Sequence, residues 1–285
     1  MPVVERTRRM WEALVDDPRT ERAARRVPWV WARAERAGRR HGGGVTRDEA
    51  FATVRDLGGR GLPATVDPLH RAAPTLQATE GYVTLAGDLG DLPAGTWLAV
   101  DLALVGLDHS VERCRHDLAR VLDALPVGCW LQVAASDRAL TGAAVDVVLT
   151  LAAESAPLVA TVAANLRRSR DDARELAEAE VPIRLVEGTP APPSVAHPLG
   201  TPTDLAYARL AQDLRAAGAR VLLATRQAPL RASLLATLGP GEVELPLDAP
   251  LHPAYDPLTR RNPVRVAVPY GPGWFRTWLR SIPAA

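Results

Sequence analysis

Apolar positions along this chain follow two rhythms in turn. Short β-rich runs alternate with Ala-, Arg- and Leu-rich stretches whose apolar positions recur at helical spacing. The strand runs fall near Leu62–Val66, Trp97–Leu102, Cys129–Ala134, Leu158–Ala163, Ile183–Val186, Arg220–Ala224, Glu242–Leu245 and Val264–Val268. The helical stretches between them include Val111–Leu125, Asp171–Ala179, Asp204–Ala217 and Leu230–Leu238, and a further helix follows Gly42-Gly43-Gly44. Gly61, Gly128 and Gly218 stand before strands, where helix C-caps belong. Ser110 and Thr203 are placed as N-caps.

Strand and helix in regular alternation predict a (β/α)8 barrel of parallel strands. The rival is a doubly wound open sheet, but no G-x-G-x-x-G follows any strand, which removes the usual mark of a dinucleotide fold. Residues 1–40 are expected to be an N-terminal helical extension and residues 41–285 the barrel. Gly188–Pro202, rich in Pro and small residues, is expected to be a long loop on the face where barrel active sites lie.

Composition narrows the function. Net charge is +1 in 285 residues, so no general attraction to nucleic acid or anionic membrane is implied. The many arginines before residue 40 are interleaved with acids and form a solvated helical face. All 34 basic residues are arginine; a Schiff-base or P-loop lysine is therefore excluded. Cys114 and Cys129 fit neither a disulfide framework nor a zinc site and are expected in the core. Asp67, His70, Asp101, His109 and Glu187 are nominal metal ligands without a ligand spacing, so no metal is expected. His109 is expected to cap or line the start of the Val111–Leu125 helix. Ser136 and Ser194 have no nucleophile-elbow context. No signal-peptide pattern opens the chain, and its apolar runs are too short or too polar to span a bilayer; a cytoplasmic protein is expected. Trp29 and Trp31 are placed over the barrel bottom or at a self-association surface, so a homo-oligomer stays open.

Three blocks carry a family resemblance. The first is Arg184-Leu185-Val186-Glu187-Gly188, followed by Thr203-Asp204-Leu205-Ala206-Tyr207-Ala208-Arg209-Leu210. The second is Val221-Leu222-Leu223-Ala224-Thr225. The third is Arg265-Val266-Ala267-Val268-Pro269-Tyr270-Gly271 with Trp274 and Arg280. Fainter echoes are Thr65-Val66-Asp67, Gly106-Leu107-Asp108 and Asn165-Leu166-Arg167-Arg168. In order and spacing, from about Arg40 to Ile282, the chain resembles the proline dehydrogenase family.

The resemblance implies a flavin and a proline pocket at the strand ends, and there the chain departs from the pattern. The family's second-strand lysine is Asp101. The acid after the third strand is Ala134, with Asp137 three residues on. The fourth-strand glutamine is Ala163, and the aromatic two residues later is Asn165. The flavin-contacting lysine is Glu187. The histidine after Ala-Thr is Arg226, the eighth-strand tyrosine is Ala267, and the last helix's arginine pair is Arg280 and Ser281. Arg184 is the main flavin-side residue that matches. A carboxylate at Glu187 against an anionic reduced flavin at ~4 Å costs about 4 kcal/mol at an effective dielectric of ~20.

The expectation is thus a proline-dehydrogenase-like barrel with a remodelled site and no flavin in the usual mode. It would act on a small amino- or imino-acid-like metabolite. Glu187 and Asp101 are the candidate acid and base, because neighbouring carboxylates push their pKa values apart. Arg280, Arg184, Arg226, Asn165 and Trp274 are the candidate substrate residues. Two alternatives stay open: a non-catalytic scaffold or regulatory pseudoenzyme, and an FAD-dependent dehydrogenase with altered contacts in which Arg184 faces the flavin.

Overall fold

The computed structural model describes residues 17–69, 76–135, 137–247, 255–275 and 279. The Arg6–Glu21 segment thus lies largely outside it, as do His70, Ser136, Arg280 and Ser281.

Eight parallel strands close into a barrel in sequence order. They are β1 Ala64–Pro68, β2 Trp97–Asp101, β3 Trp130–Ala134, β4 Leu158–Ala163, β5 Ile183–Val186, β6 Val221–Leu223, β7 Glu242–Pro246 and β8 Val264–Tyr270. Closure is made by β1 on β8, with Ala64 opposite Val266 and Pro68 opposite Tyr270. The expected barrel is present, and seven strands start within a residue of their expected positions. β1 instead begins two residues late, because Leu62 and Pro63 carry the chain out of the preceding helix: Leu62 N–H returns to Leu57 O at 2.9 Å.

The helices are α1 Pro18–Arg25, α2 Pro28–His41, α3 Arg47–Gly59, α4 Leu76–Asp88, α5 Val111–Asp123, α6 Thr141–Ala153, α7 Ser169–Glu178, α8 Thr201–Ala216, α9 Ala228–Leu238 and α10 Asp256–Arg261. α3 starts on a capping box of Thr46 and Glu49. α4 and α6 were not anticipated; α6, Thr-Gly-Ala-Ala-Val-Asp-Val-Val-Leu-Thr-Leu-Ala-Ala, is apolar nearly all round and so shows no polar face to betray its period.

The caps divide. Ser110 Oγ accepts the Arg113 N–H at 3.0 Å, as expected. His109 does not cap: its largely exposed ring meets Asp108 at 2.7 Å. Thr203 is not the cap of α8, which begins two residues earlier after Gly200; its hydroxyl instead donates to Pro198 O at 2.8 Å. Gly218 does terminate α8, at φ +75°, and the following Ala219 N–H returns to Leu214 O at 3.0 Å. Gly128 belongs to the Pro126–Cys129 turn rather than to a helix end.

The main core lies between strands and helices. Val66, Leu98, Leu131, Leu158, Ile183 and Val266 face outward onto Phe51, Leu118, Val147, Leu176 and Tyr207. Cys114 and Cys129 are buried and unpaired, as expected. Burial pushes the Cys114 thiol up to about 12.

Trp31 does not cover the barrel bottom. It packs on Trp274 and Phe275, with ring centroids 5.4 and 5.3 Å away, beside Leu69. Leu69 and Trp274 follow the C-terminal ends of β1 and β8, so α2 lies at the opposite rim from the one expected. Pro28 starts a helix there, and Trp29, two residues earlier than Trp31 and off its face, is 71% exposed.

Candidate active site at the C-terminal end of the barrel

Period-two alternation along each strand sends Thr65 and Asp67, Ala99 and Asp101, Gln132 and Ala134, Thr161 and Ala163, Arg184, Glu244 and Ala267 toward the barrel axis. Arg184 and Glu244 meet there. Arg184 on β5 donates Nε to Glu244 Oε2 at 2.9 Å and Nη2 to Oε1 at 2.5 Å, past the intervening β6. Ile183 and Leu185 on either side of Arg184 face the outer core, so the contact crosses β6 on the interior face. The two side chains are 21% and 7% exposed, and the fork-to-fork geometry is the strongest form of such a pair.

Asp67 shares this environment. Burial raises its carboxyl to about 6. Arg184 pulls the value down, while Glu244 and Asp101 push it up. Asp101 closes β2 with its backbone N–H 3.4 Å from the buried Tyr82 hydroxyl of α4. Its Oδ1 accepts the Ala103 N–H at 3.1 Å and so caps the 3-10 turn Leu102–Val105. Burial, opposed by the backbone contact at Asp101, raises the Tyr82 hydroxyl.

Glu187 is held differently. Its Oε1 accepts the Thr225 hydroxyl and, at 3.2 Å, the Arg226 backbone N–H. The carboxylate thereby ties the end of β5 to the end of β6. Arg226 supplies an N–H to this contact, while its side chain is exposed.

Asn165, expected to touch substrate, is 0% exposed. Its Nδ2 donates to Thr189 O at 2.6 Å, and its Oδ1 faces Gly188, where a Cβ would stand 1.9 Å away. Gly188 has φ +99°, which a side chain would strain in any case. The loop after β5 is pinned over this point by Arg167 N–H to Val195 O at 3.0 Å and His197 N–H to Asn165 O at 2.7 Å. Trp274 is 8% exposed within the aromatic cluster of Trp31 and Phe275. Arg280 lies outside the described residues. Among the described residues, no three acidic, His or Cys side chains group as metal ligands, and no helix is long and apolar enough to cross a membrane.

The structure therefore brings Asp101 toward Asp67 and the Arg184–Glu244 pair, and Glu187 toward Thr225 and Arg226. Asp67 was the residue sequence reasoning undervalued. The signal was present in the Thr65-Val66-Asp67 alternation, which puts an acid at an inward strand end.

No family model matches the chain, and no curated protein matches it. Solved structures do. Proline utilization A from Bdellovibrio bacteriovorus, inactivated by N-propargylglycine, superposes with a TM-score of 0.69 at 16% identity, over 86% of this chain and 32% of that one. Proline utilization A from Corynebacterium freiburgense gives 0.67 at 14% identity, over 98% and 32%. A proline utilization A structure with proline bound in remote sites gives 0.63 at 18%, over 77% and 28%. The chain thus spans about a third of the length of these proteins, and its fold is a proline-dehydrogenase-like (β/α)8 barrel.

Proposed function

We propose that this chain is an enzyme whose barrel mouth moves protons on a small amino- or imino-acid-like metabolite, without a flavin held in the manner the fold family implies. The carrying observation is the Asp67–Asp101 pair beside the interior Arg184–Glu244 bridge, with the Asp67 carboxyl raised to about 6 by burial. A carboxyl poised there exchanges its proton near neutral pH, as a general acid or base must.

The residues present do not fit a flavin. Arg184, the matching flavin-side residue, commits Nε and Nη2 to Glu244. Ala163 offers no donor, and Glu187 brings an acid whose Oε1 is already engaged. No flavin step is therefore part of this reading.

The residue roles follow from chemistry. Asp101 is the counter-charge for an ammonium or iminium group, and Asp67 carries the proton. Arg226 and Arg280 are the anion holders. Glu187 positions the β5 and β6 ends in this reading, and Trp274 closes the rim. A homo-oligomer and a cytoplasmic location are compatible with it.

One observation favours a non-catalytic role instead: Glu244 and Glu187 are both already satisfied, by Arg184 and by Thr225. The experiment separates the readings. Freshly purified protein is examined for a flavin absorbance band, then screened by thermal shift and by α-proton exchange in heavy water against amino and imino acids. The proposal expects no band and exchange on some panel member, with Asp67→Asn and Asp101→Asn each lowering the rate about 100-fold or more. A stoichiometric flavin overturns it in favour of oxidation. An absence of both stabilisation and exchange overturns it in favour of a scaffold.

A further inference from the structure

Arginines and acids are interleaved along residues 17–36, but the fold sorts them by side. Ala24 of α1 and Trp31 and Ala34 of α2 form the inner face, clustered with Trp274, Phe275, Leu279 and Leu69. Two of the acids turn the same way. Glu21, with a side chain 12% exposed, accepts Arg25 Nε and Nη2 at 3.1 Å. Glu35 accepts Trp31 Nε1 at 2.6 Å. A third, Asp17, caps α1 through the Arg19 N–H at 2.8 Å.

The outer face is left to the cations. Arg19, Arg22 and Arg26 recur at helical spacing along α1 and its C-cap, as Arg33 and Arg36 do with Trp29 along α2. All six side chains are exposed. Among the described residues, none of these five guanidiniums pairs with an acid. Trp29 is 71% exposed, and Val27, between the two helices, is 38% exposed. A net charge of +1 conceals this face, because acids elsewhere on the chain balance it.

A purely solvated face has no use for an exposed indole and a neighbouring valine. Tryptophan settles at the headgroup level of a bilayer. Arginines around an apolar anchor are the pattern of a helix that lies in that interface without crossing it. A nucleic acid would meet the arginines but gives Val27 no apolar surroundings. We propose that the outer face of α1 and α2 docks on an anionic lipid surface. Trp29 and Val27 enter the headgroup layer, and the five arginines meet the lipid phosphates. The proposal stands whether or not the barrel mouth is catalytic.

The test is co-sedimentation of the whole chain with phosphatidylcholine vesicles, with and without phosphatidylglycerol. Binding is expected only with phosphatidylglycerol and is expected to weaken as salt rises. Arg33→Gln with Arg36→Gln is expected to weaken it about 25-fold, about fivefold for each arginine. Trp29→Ser is expected to weaken it about tenfold. Both variants change exposed side chains, so their melting temperatures are expected to match the parent's. Absence of binding, or equal binding to pure phosphatidylcholine, overturns the proposal. So does binding that either folded variant leaves unchanged. Tighter binding to a DNA duplex than to the anionic vesicles, in the same buffer, overturns it in favour of a nucleic-acid surface.

Discussion

The guanidinium of Arg184 on β5 and the carboxylate of Glu244 on β7 join inside the barrel by two parallel hydrogen bonds, 2.9 and 2.5 Å long, bypassing β6. Each would be an uncompensated interior charge without the other. Glu244→Ala or Arg184→Ala is therefore expected to lower stability by about 3 kcal/mol. Replacing both by leucine is expected to cost less than either single change, because no charge is then stranded. Urea unfolding of the two single variants and the double variant checks this order of stabilities.

The Asp67 carboxyl links stability to pH. Unfolded it titrates at 3.8, and folded at about 6. Between those values the native state keeps a proton that the unfolded chain has released. Stability from this group is thus full below pH 4 and lost as pH rises through 6, about 3 kcal/mol in all. Asp67→Asn is expected to remove that slope and to be the more stable protein at pH 7. Unfolding free energies of both proteins at pH 4, 5, 6 and 7 test this, and the difference curve isolates Asp67 from other titrating groups.

Glu187 and Thr225 form a tether between adjacent strand ends. A hydrogen bond to a charged group contributes about 1.5–3 kcal/mol, so Thr225→Val is expected to destabilise by about that amount. Glu187→Gln, which keeps an acceptor, is expected to cost less than Glu187→Ala. The order of the three melting temperatures decides it. Once an activity is in hand, a Glu187→Gln rate close to wild type would confirm the positioning role over an acid/base one.

Gly188→Ala meets two obstacles. The backbone sits at φ +99°, and the new methyl would overlap Asn165 Oδ1 at 1.9 Å. A loss of about 1–3 kcal/mol is expected, with Gly188→Ser at least as damaging. Thermal unfolding reads both.

The sequence made the strands legible because each strand's apolar run is short and bounded, and β4 and β5 lie where periodicity put them. It hid α6, whose apolar residues leave no contrast between faces. At the site, the family resemblance singled out Asp101, Arg184 and Glu187; Asp101 stands at the end of β2, Arg184 within β5 and Glu187 just after it. What one-dimensional spacing could not convey is which charges meet. Arg184 and Glu244 are 60 residues apart and Glu187 and Thr225 are 38 apart. Strand pairing brings Glu187 to Thr225, and the curved interior face brings Arg184 to Glu244 across β6. Likewise, Trp29 and Trp31 were expected over the barrel bottom or at a self-association surface, whereas the helix that starts at Pro28 carries Trp31 to the upper rim.

The opposite end of the barrel has its own consequence. Trp97 and Trp130, at the first positions of β2 and β3, stand 6.5 Å apart with Val159 and Leu222 beneath the interior charges. Arg265 lies 3.5 Å over the Trp97 ring and donates to Ala64 O and Gly95 O, and Arg220 covers both indoles. The barrel is a cup with a sealed base. Under the proposed function, a ligand of the interior would therefore enter and leave at the C-terminal rim, where the strand-end loops stand.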